Sequence, residues 1–320
     1  MTALLILGGL ILLVAGGEGL VRGAIGLAKA GGVSPTVIAL TIIACGTSAP
    51  ELVVCVEAAL SGFPGIAVGN VVGSNVANLL LIVGMAAMVH PMACQRTDVL
   101  RNGAVLAGGT AIFTVICLDG VVERMAGIGL SVLLVVYILG SWWLSRRGLN
   151  MAVGGPEEAE EVTDGPRLAA LLTASGLVAV LLGAHLLVMG AVDLARLMGI
   201  SETTIGLTVV AFGTSLPELA TVLAAAFRRR PELAFGNIIG SNIFNLLGIM
   251  GITATVAPVP VPAQVVGVDL WVMAVATVGV LAAMYTGSRV SRGEGVVMLA
   301  AYIGYFVVLL GGLMPAHLVL

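Results

Sequence analysis

Charged residues are scarce in this 320-residue chain, because Asp, Glu, Lys and Arg together make up only 10% of it. Soluble domains carry about 25% charged residues, so this chain cannot cover a water-exposed surface and the soluble class is excluded. Hydrophobic residues make up 59%, and the mean hydropathy is +1.14, which predicts a protein whose solvent is lipid. The formal net charge of −3 gives no indication of a nucleic-acid partner.

Cysteine and aromatic residues are also few, whereas glycine is abundant. The four cysteines, Cys45, Cys55, Cys94 and Cys117, have no paired spacing and no neighbouring His cluster. We interpret them as small apolar residues rather than metal ligands or disulfides. The 44 glycines are typical of lipid-embedded helices, which use small residues to approach one another closely.

Long apolar runs predict an all-α membrane protein, since a spanning helix needs about 20 such residues. An acidic stretch at 148–166 divides the chain into two halves of five helices each, 1–147 and 167–320. We interpret this stretch as a cytoplasmic linker, and a Ca²⁺ sensor is the alternative. The ten predicted spans lie at about 2–30, 36–60, 64–89, 100–118, 122–145, 167–197, 203–227, 232–256, 267–286 and 294–315.

The Lys and Arg residues predict the orientation in the membrane through the positive-inside rule. With both termini outside, only Arg124 and Arg196 fall on the outer side. We expect a multi-pass protein of the plasma membrane in this orientation. The inner ends then collect Lys29, Arg96, Arg101, Arg146, Arg147, Arg167, Arg228, Arg229, Arg230, Arg289 and Arg292.

An internal repeat is the most informative feature of the sequence. Residues 16–84 align without gaps onto 183–251 at a constant offset of 167. Because each half has an odd number of spans, the two copies must have opposite topology. Inverted repeats place a substrate site near the bilayer midplane and permit alternating access. The strongest blocks are GTSAPEL at 46–52 and GTSLPEL at 213–219, then GNVVGSNVANLL at 69–80 and GNIIGSNIFNLL at 236–247.

Glu51 and Glu218 fall near the middle of the second and seventh predicted spans. An ionised carboxylate there costs several kcal/mol unless it is paired or hydrated. Neither span contains Lys or Arg except at its ends, so a bound cation is the simplest partner. The alternative is a protonated Glu that is hydrogen-bonded within the helix bundle.

The residues around each Glu suit a cation site. Pro50 and Pro217 lack an N–H group, so we expect both helices to break locally and to free backbone carbonyls. Hard cations such as Ca²⁺ take six to eight oxygen ligands, which two meeting breaks could supply. The nearby hydroxyl groups belong to Thr47, Ser48, Thr214 and Ser215.

A second motif recurs on the adjacent spans. Ser74 and Asn78 share one helix face with Asn70, and Ser241 and Asn245 repeat this stripe with Asn237. We expect Asn78 and Asn245 to face the site, although such a stripe could also only hold helices together. The remaining amides are expected to stabilise helix packing or the breaks; they are Asn70, Asn75, Asn237 and Asn242.

These paired motifs resemble those of the cation/Ca²⁺ exchanger superfamily, in particular its prokaryotic sodium/calcium exchangers. The resemblance implies that Glu51 and Glu218 are central carboxylates shared by Ca²⁺ and Na⁺, and that the first and sixth helices slide to switch access. It also implies ligand roles for further residues. The backbone carbonyls of Thr47 and Thr214 would bind Ca²⁺. The flanking Na⁺ sites would be built by Ser48, Ser74, Ser215 and Ser241 with the carbonyls of Ala44 and Ala211. Asn78 and Asn245 would lie at the middle of the site.

One position departs from the family pattern. Many sodium/calcium exchangers, and the potassium-coupled branch, carry Asp where this chain has Asn245. The amide removes one potential negative charge and argues against K⁺ cotransport. It leaves the Na⁺:Ca²⁺ ratio open.

The sequence thus predicts a Na⁺/Ca²⁺ antiporter that needs no cofactor and can act as a monomer. A H⁺/Ca²⁺ antiporter using the same carboxylates is the closest alternative, although the GTS motif before each Glu favours Na⁺. An intramembrane hydrolase using Ser48 or Ser215 lacks a GxSxG or HExxH motif, and a purely structural bundle would not retain paired Glu in lipid. Among smaller features, we expect Glu57 in a vestibule or at the surface, and Glu18 and its repeat equivalent His185 along the ion path or paired with neighbours.

Overall fold

The computed structural model describes residues 2–147, 165–197 and 213–313, which are almost entirely helical. Short π-helical segments are included in the longer helices. The helices are α1 (Thr2–Gly31), α2 (Pro35–Thr47), α3 (Ala49–Leu60), α4 (Pro64–Val89), α5 (Arg96–Leu118), α6 (Arg124–Arg146), α7 (Pro166–Leu197), α8 (Leu216–Phe227), α9 (Pro231–Val256), α10 (Val265–Gly287) and α11 (Arg292–Leu313).

Within the described residues, eight helices are long and apolar enough to cross a membrane. The α2–α3 pair, bent by 45° at Ser48, makes a ninth span if it is counted as one. The predicted all-helical membrane architecture is therefore confirmed. The seventh predicted span, 203–227, is described only from residue 213, so the count of ten remains a prediction. Most of the predicted linker, 148–164, also lies outside the described residues.

Four two-residue strands, which the sequence did not predict, tie connections of the two halves together. β1 (Met92–Ala93) pairs antiparallel with β4 (Arg289–Val290), and β2 (Val121–Val122) pairs antiparallel with β3 (Val259–Pro260). The first ladder joins the α4–α5 connection to the α10–α11 connection. The second joins α5–α6 to α9–α10, so each ladder links one half to the other.

α1 and α7 pack antiparallel along most of their length through glycines. A Cβ added at Gly9 would lie 2.8 Å from the carbonyl oxygen of Gly183, and one added at Gly16 would lie 2.8 Å from that of Gly176. These two contacts exchange when each residue is shifted by the 167-residue offset of the repeat. Such reciprocity is what a two-fold relation between the halves produces.

The centre of the molecule consists of α4 and α9, the most buried of the long helices. These helices carry the predicted stripes of Ser and Asn. Gly236 and Gly240 of α9 allow its backbone to approach α2, where an added Cβ would come within 2.6 Å of Ala39 and 2.5 Å of the Leu40 carbonyl oxygen. Close backbone contact of this kind is typical of membrane helices that have no hydrophobic driving force to associate.

Gly9→Ala is expected to destabilise the protein, whereas Gly8→Ala is not. The Cβ introduced at position 9 would lie 2.7 Å from the backbone nitrogen of Leu187, which overpacks the α1–α7 interface and costs about 1–3 kcal/mol. Among the described residues, no atom lies within 4 Å of a Cβ added at Gly8, and Ala has the better helix propensity. Thermal unfolding in detergent, followed by fluorescence-detected size exclusion, compares the two. Equal melting temperatures would contradict the packing.

Candidate ion-binding site

Two helices begin inside the molecule, each directly after a serine. Ser48 (φ −85°, ψ 10°) precedes α3, and Ser215 (φ −87°, ψ 2°) precedes α8 with nearly the same backbone conformation. Pro50 and Pro217 lie in the first turn, where a missing N–H group leaves no helical hydrogen bond unmade. Each proline therefore lies where a new helix begins.

Each of these first turns carries one of the predicted carboxylates, Glu51 in α3 and Glu218 in α8. The free N–H groups and the dipole of a helix N-terminus favour negative charge. A carboxylate that must be buried is thus placed where the backbone offsets part of the cost.

The two carboxylates converge through groups of the opposite half. The Ser48 hydroxyl donates a hydrogen bond to Oε1 of Glu218, at 2.6 Å. Thr47 contacts the same carboxylate, and Thr214 contacts that of Glu51. Glu51 and Glu218 are also close enough to repel each other. The predicted meeting of the two acids is therefore present in the structure.

Both carboxylates are almost fully shielded from solvent, with 1% of Glu51 and 2% of Glu218 exposed. In the described part of the chain, neither forms an ion pair, and Oε2 of each has no hydrogen-bond partner. Buried charges are normally paired or bind metal ions. The geometry leaves one carboxylate oxygen of each residue available to a cation.

Further buried oxygens lie on the two central helices. Oδ1 of Asn78 and Oδ1 of Asn245 have no partner among the described residues, and the same holds for Oγ of Ser241. All three residues are at most 2% exposed. Carboxylate, amide and hydroxyl oxygens are the ligand types of hard cations such as Ca²⁺.

Asn78 and Asn245 each occupy the second position of a π-helical segment, Ala77–Ile82 in α4 and Phe244–Ile249 in α9. α3 packs against the π segment of the second half, and α8 packs against that of the first. π segments occur frequently at functional sites. They could not be predicted from the sequence, because no residue pattern in these apolar stretches distinguishes π from α hydrogen bonding.

The remaining predicted ligands lie in or beside the same elements. Ala44 of α2, Ser74 of α4 and Ser215 are buried, and Thr214 is half-buried. Ala211 lies outside the described residues. Three of the four amides expected to stabilise packing donate hydrogen bonds: Asn75 and Asn242 to the carbonyl four residues earlier, at 2.7 Å, and Asn70 to the sulfur of Cys55, at 3.3 Å. Neither amide atom of Asn237 has a hydrogen-bond partner among the described residues.

Three predicted minor features lie outside this cluster. Glu57 is exposed on α3, as expected for a vestibule or surface group, and His185 is exposed on α7. Glu18 forms a salt bridge with Arg228. Of the two expectations for Glu18, the structure supports pairing with a neighbour.

Comparison with known proteins identifies relatives over nearly the full chain. The family model described as "Sodium/calcium exchanger protein" matches residues 1–143 and 168–311. The putative antiporter CaxA of Alkalimonas amylolytica is 37% identical over 94% of this chain and 96% of its own, and the sodium/calcium exchanger MaX1 of Methanosarcina acetivorans is 32% identical over 96% and 97%. A more distant relative, the Ca²⁺/H⁺ antiporter ChaA of Bacillus subtilis, is 25% identical over 81% and 80%.

Among solved structures, that of the sodium-calcium exchanger NCX_Mj, soaked with Na⁺ and Ca²⁺, superposes with a TM-score of 0.84. The two sequences are 31% identical over 96% of this chain and 97% of that chain. The helical architecture is therefore shared over almost its whole length.

Ser48→Ala is expected to destabilise the protein through its contact with Glu218. Loss of the donor leaves a buried carboxylate oxygen without its hydrogen bond, which costs about 1–3 kcal/mol. Ser61→Ala, at the exposed end of α3, is the control and should stay within about 0.5 kcal/mol of the parent. A double-mutant cycle of Ser48→Ala with Glu218→Gln, read by thermal unfolding, measures the coupling. Strictly additive effects would mean that the two side chains do not interact.

Proposed function

Because the chain belongs to the sodium/calcium exchanger family, we propose that it is a secondary-active antiporter that exchanges Na⁺ for Ca²⁺ across the membrane. Members of this family are transporters, not enzymes, so the ions are substrates and no cofactor is needed. One observation carries the proposal. Two carboxylates from different halves meet in a buried position with one oxygen each unpartnered among the described residues.

The ions occupy a common set of oxygen ligands. Glu51 and Glu218 serve both Ca²⁺ and Na⁺, with Asn78 and Asn245 at the middle of the site. The unpartnered Oε2 and Oδ1 atoms of these four residues support this assignment. The other ligands are the carbonyls of Thr47, Thr214, Ala44 and Ala211 and the hydroxyls of Ser48, Ser74, Ser215 and Ser241.

Charge balance explains exchange without a separate gating rule. A site with two ionised carboxylates has a charge of −2, which one Ca²⁺ or two Na⁺ neutralise. At a separation of about 4 Å and an effective dielectric constant of about 20, two like charges repel by about 4 kcal/mol. An empty site is therefore unfavourable to carry across the membrane barrier, whereas either ion type permits the switch.

Alternating access follows from an inverted repeat of the two halves, 1–147 and 167–320, joined by the cytoplasmic linker 148–166. The reciprocal contacts between α1 and α7, and the two ladders that link the halves, support this arrangement. α1 and α7 pack closely on each other and move as a unit against the remaining helices. Their sliding exposes the site to one side at a time.

The same proposal fixes the placement in the cell. The protein is a multi-pass protein of the plasma membrane, and the distribution of Lys and Arg supports an orientation with both termini outside. β1 and β4 then both lie inside, and β2 and β3 both outside, which is compatible with their pairing. A single chain contributes all the ligands, so a monomer suffices.

A second candidate function is H⁺/Ca²⁺ antiport with the same two carboxylates as proton carriers. The similarity to the Ca²⁺/H⁺ antiporter of Bacillus subtilis favours it. The stronger similarity to the sodium/calcium exchanger of Methanosarcina acetivorans, together with the GTS wording before each Glu, favours Na⁺.

Glu51→Gln and Glu218→Gln are each expected to abolish Na⁺-driven Ca²⁺ flux. The amide has nearly the same shape, but it removes half of the negative charge that attracts the ion. Uptake of radioactive Ca²⁺ into proteoliposomes loaded with Na⁺ measures the effect. Glu57→Gln, on the exposed face of the same helix as Glu51, is the matched control and should transport normally. Near-parental flux in either site variant would refute the site.

Independent variation of the Na⁺ gradient and the pH gradient identifies the coupling ion. With an outward Na⁺ gradient and pH clamped equal on both sides by buffer and a proton carrier, we expect robust Ca²⁺ uptake. With a pH gradient and no Na⁺ or K⁺, we expect only the background of protein-free liposomes. The opposite pattern would assign the protein to H⁺/Ca²⁺ antiport.

A further inference from the structure

α1 is fastened to α8 on one side of the ion site. A Cβ added at Gly17 would meet the Cβ of Ala224 at 3.0 Å and the carbonyl oxygen of Ala220 at 3.2 Å. The next residue, Glu18, accepts a hydrogen bond at 2.6 Å from Nε of Arg228, just beyond the end of α8. Close packing and an ion pair thus join α1 to α8 from Ala220 to Arg228, the residue that follows the helix.

The equivalent contact in the other half is not made. The repeat offset converts the α1–α8 contact into one between α7 and α3, and it converts Glu18, Arg228 and Ala224 into His185, Ser61 and Glu57. These three residues are exposed, and within their described ranges α7 and α3 do not pack together as α1 and α8 do. Among the described residues, α1 and α8 are therefore joined between the site and Arg228, whereas α7 and α3 make no comparable contact.

We propose that the Glu18–Arg228 ion pair is a latch that stabilises the state closed on the Arg228 side. The inference rests on the proposed alternating access, in which the opposite state brings α7 against α3. That closure would place His185 near Ser61 and Glu57, where no arginine–glutamate pair can replace that of Glu18 and Arg228. The two closed states are therefore unequal, although the ion site between them is nearly symmetric.

The solvent exposure of the Glu18–Arg228 pair determines how far it shifts the equilibrium between the two closed states. The Glu18 side chain is 49% exposed and that of Arg228 is 27% exposed. Partly exposed ion pairs shift a two-state equilibrium by about twofold to fivefold, because solvent screens them and holding two long side chains costs entropy. The latch thus tunes the population of a state without blocking transport.

The test follows the opening of α1 from α8 with Ca²⁺ bound, so that the site can switch whichever ion is the coupling ion. The reporter is Ala220→Cys, which Gly17 covers, in a full-length protein whose four native cysteines are replaced by alanine. Purified protein in lipid nanodiscs, saturated with Ca²⁺ and free of Na⁺, is labelled with a bulky maleimide–polyethylene glycol. We expect Glu18→Gln and Arg228→Gln each to accelerate labelling about twofold to fivefold.

Two further variants distinguish an ion pair from a general effect of charge or folding. Arg229→Gln removes a neighbouring positive charge but leaves the pair intact, so labelling should stay at the parental rate. The charge swap Glu18→Arg with Arg228→Glu should return labelling towards that rate. Rates are normalised to the same proteins labelled after unfolding, which corrects for thiol reactivity. Unchanged labelling in Glu18→Gln, or a swap that fails to slow the reaction, would overturn the latch.

The outcome is independent of the coupling ion. If the parent protein transports Ca²⁺ but Glu18→Gln does not change the labelling rate, the latch is refuted and the proposed antiport is unaffected. If labelling responds to Glu18 but no Ca²⁺ flux is found under any gradient, the proposed function fails and the closure remains.

Discussion

A buried carboxylate in a membrane protein must find a partner, and Glu51 and Glu218 meet with one oxygen each unpartnered within the described structure. This constraint explains most of what surrounds them. Both acids lie in the first turns of helices that start in the interior, where backbone N–H groups favour negative charge. Each accepts a hydroxyl contact from the other half, and the helix that carries each packs against a π segment there. What the protein leaves unsatisfied, a cation can neutralise.

Duplication is the economical way to build such a site. One broken helix supplies one carboxylate and a few oxygens, too few for a cation that takes six to eight. In the proposed mechanism, a second, inverted copy would double the ligand set and also supply the second access route. The reciprocal glycine contacts of α1 and α7 show how closely the two copies follow the same plan. Stability and function therefore rest on the same repeat.

The parts that could be predicted are those in which a residue conflicts with its apolar surroundings. Glu51 and Glu218 are costly in lipid, Pro50 and Pro217 are unfavourable inside a helix, and identical polar residues recur at a fixed offset. These three features can be recognised from the sequence alone. The π segments and the β ladders depend on how distant helices pack, and nothing local in Ala77–Ile82 or Met92–Ala93 encodes it. The pairing of Glu18 with Arg228 was open for the same reason, since the residues lie 210 positions apart.

The two halves agree where ions are expected to bind and differ where the molecule closes. Asn78 and Asn245 match across the repeat, as do the two carboxylates, so the site presents similar chemistry to either side. By contrast, Glu18 and Arg228 correspond to His185 and Ser61, and Ala224 corresponds to Glu57. A symmetric site holds an ion equally well in either state, and a ligand with equal affinity for two states does not shift the equilibrium between them. Any preference for one side must then come from the closing contacts, which are free to diverge because they touch no ion.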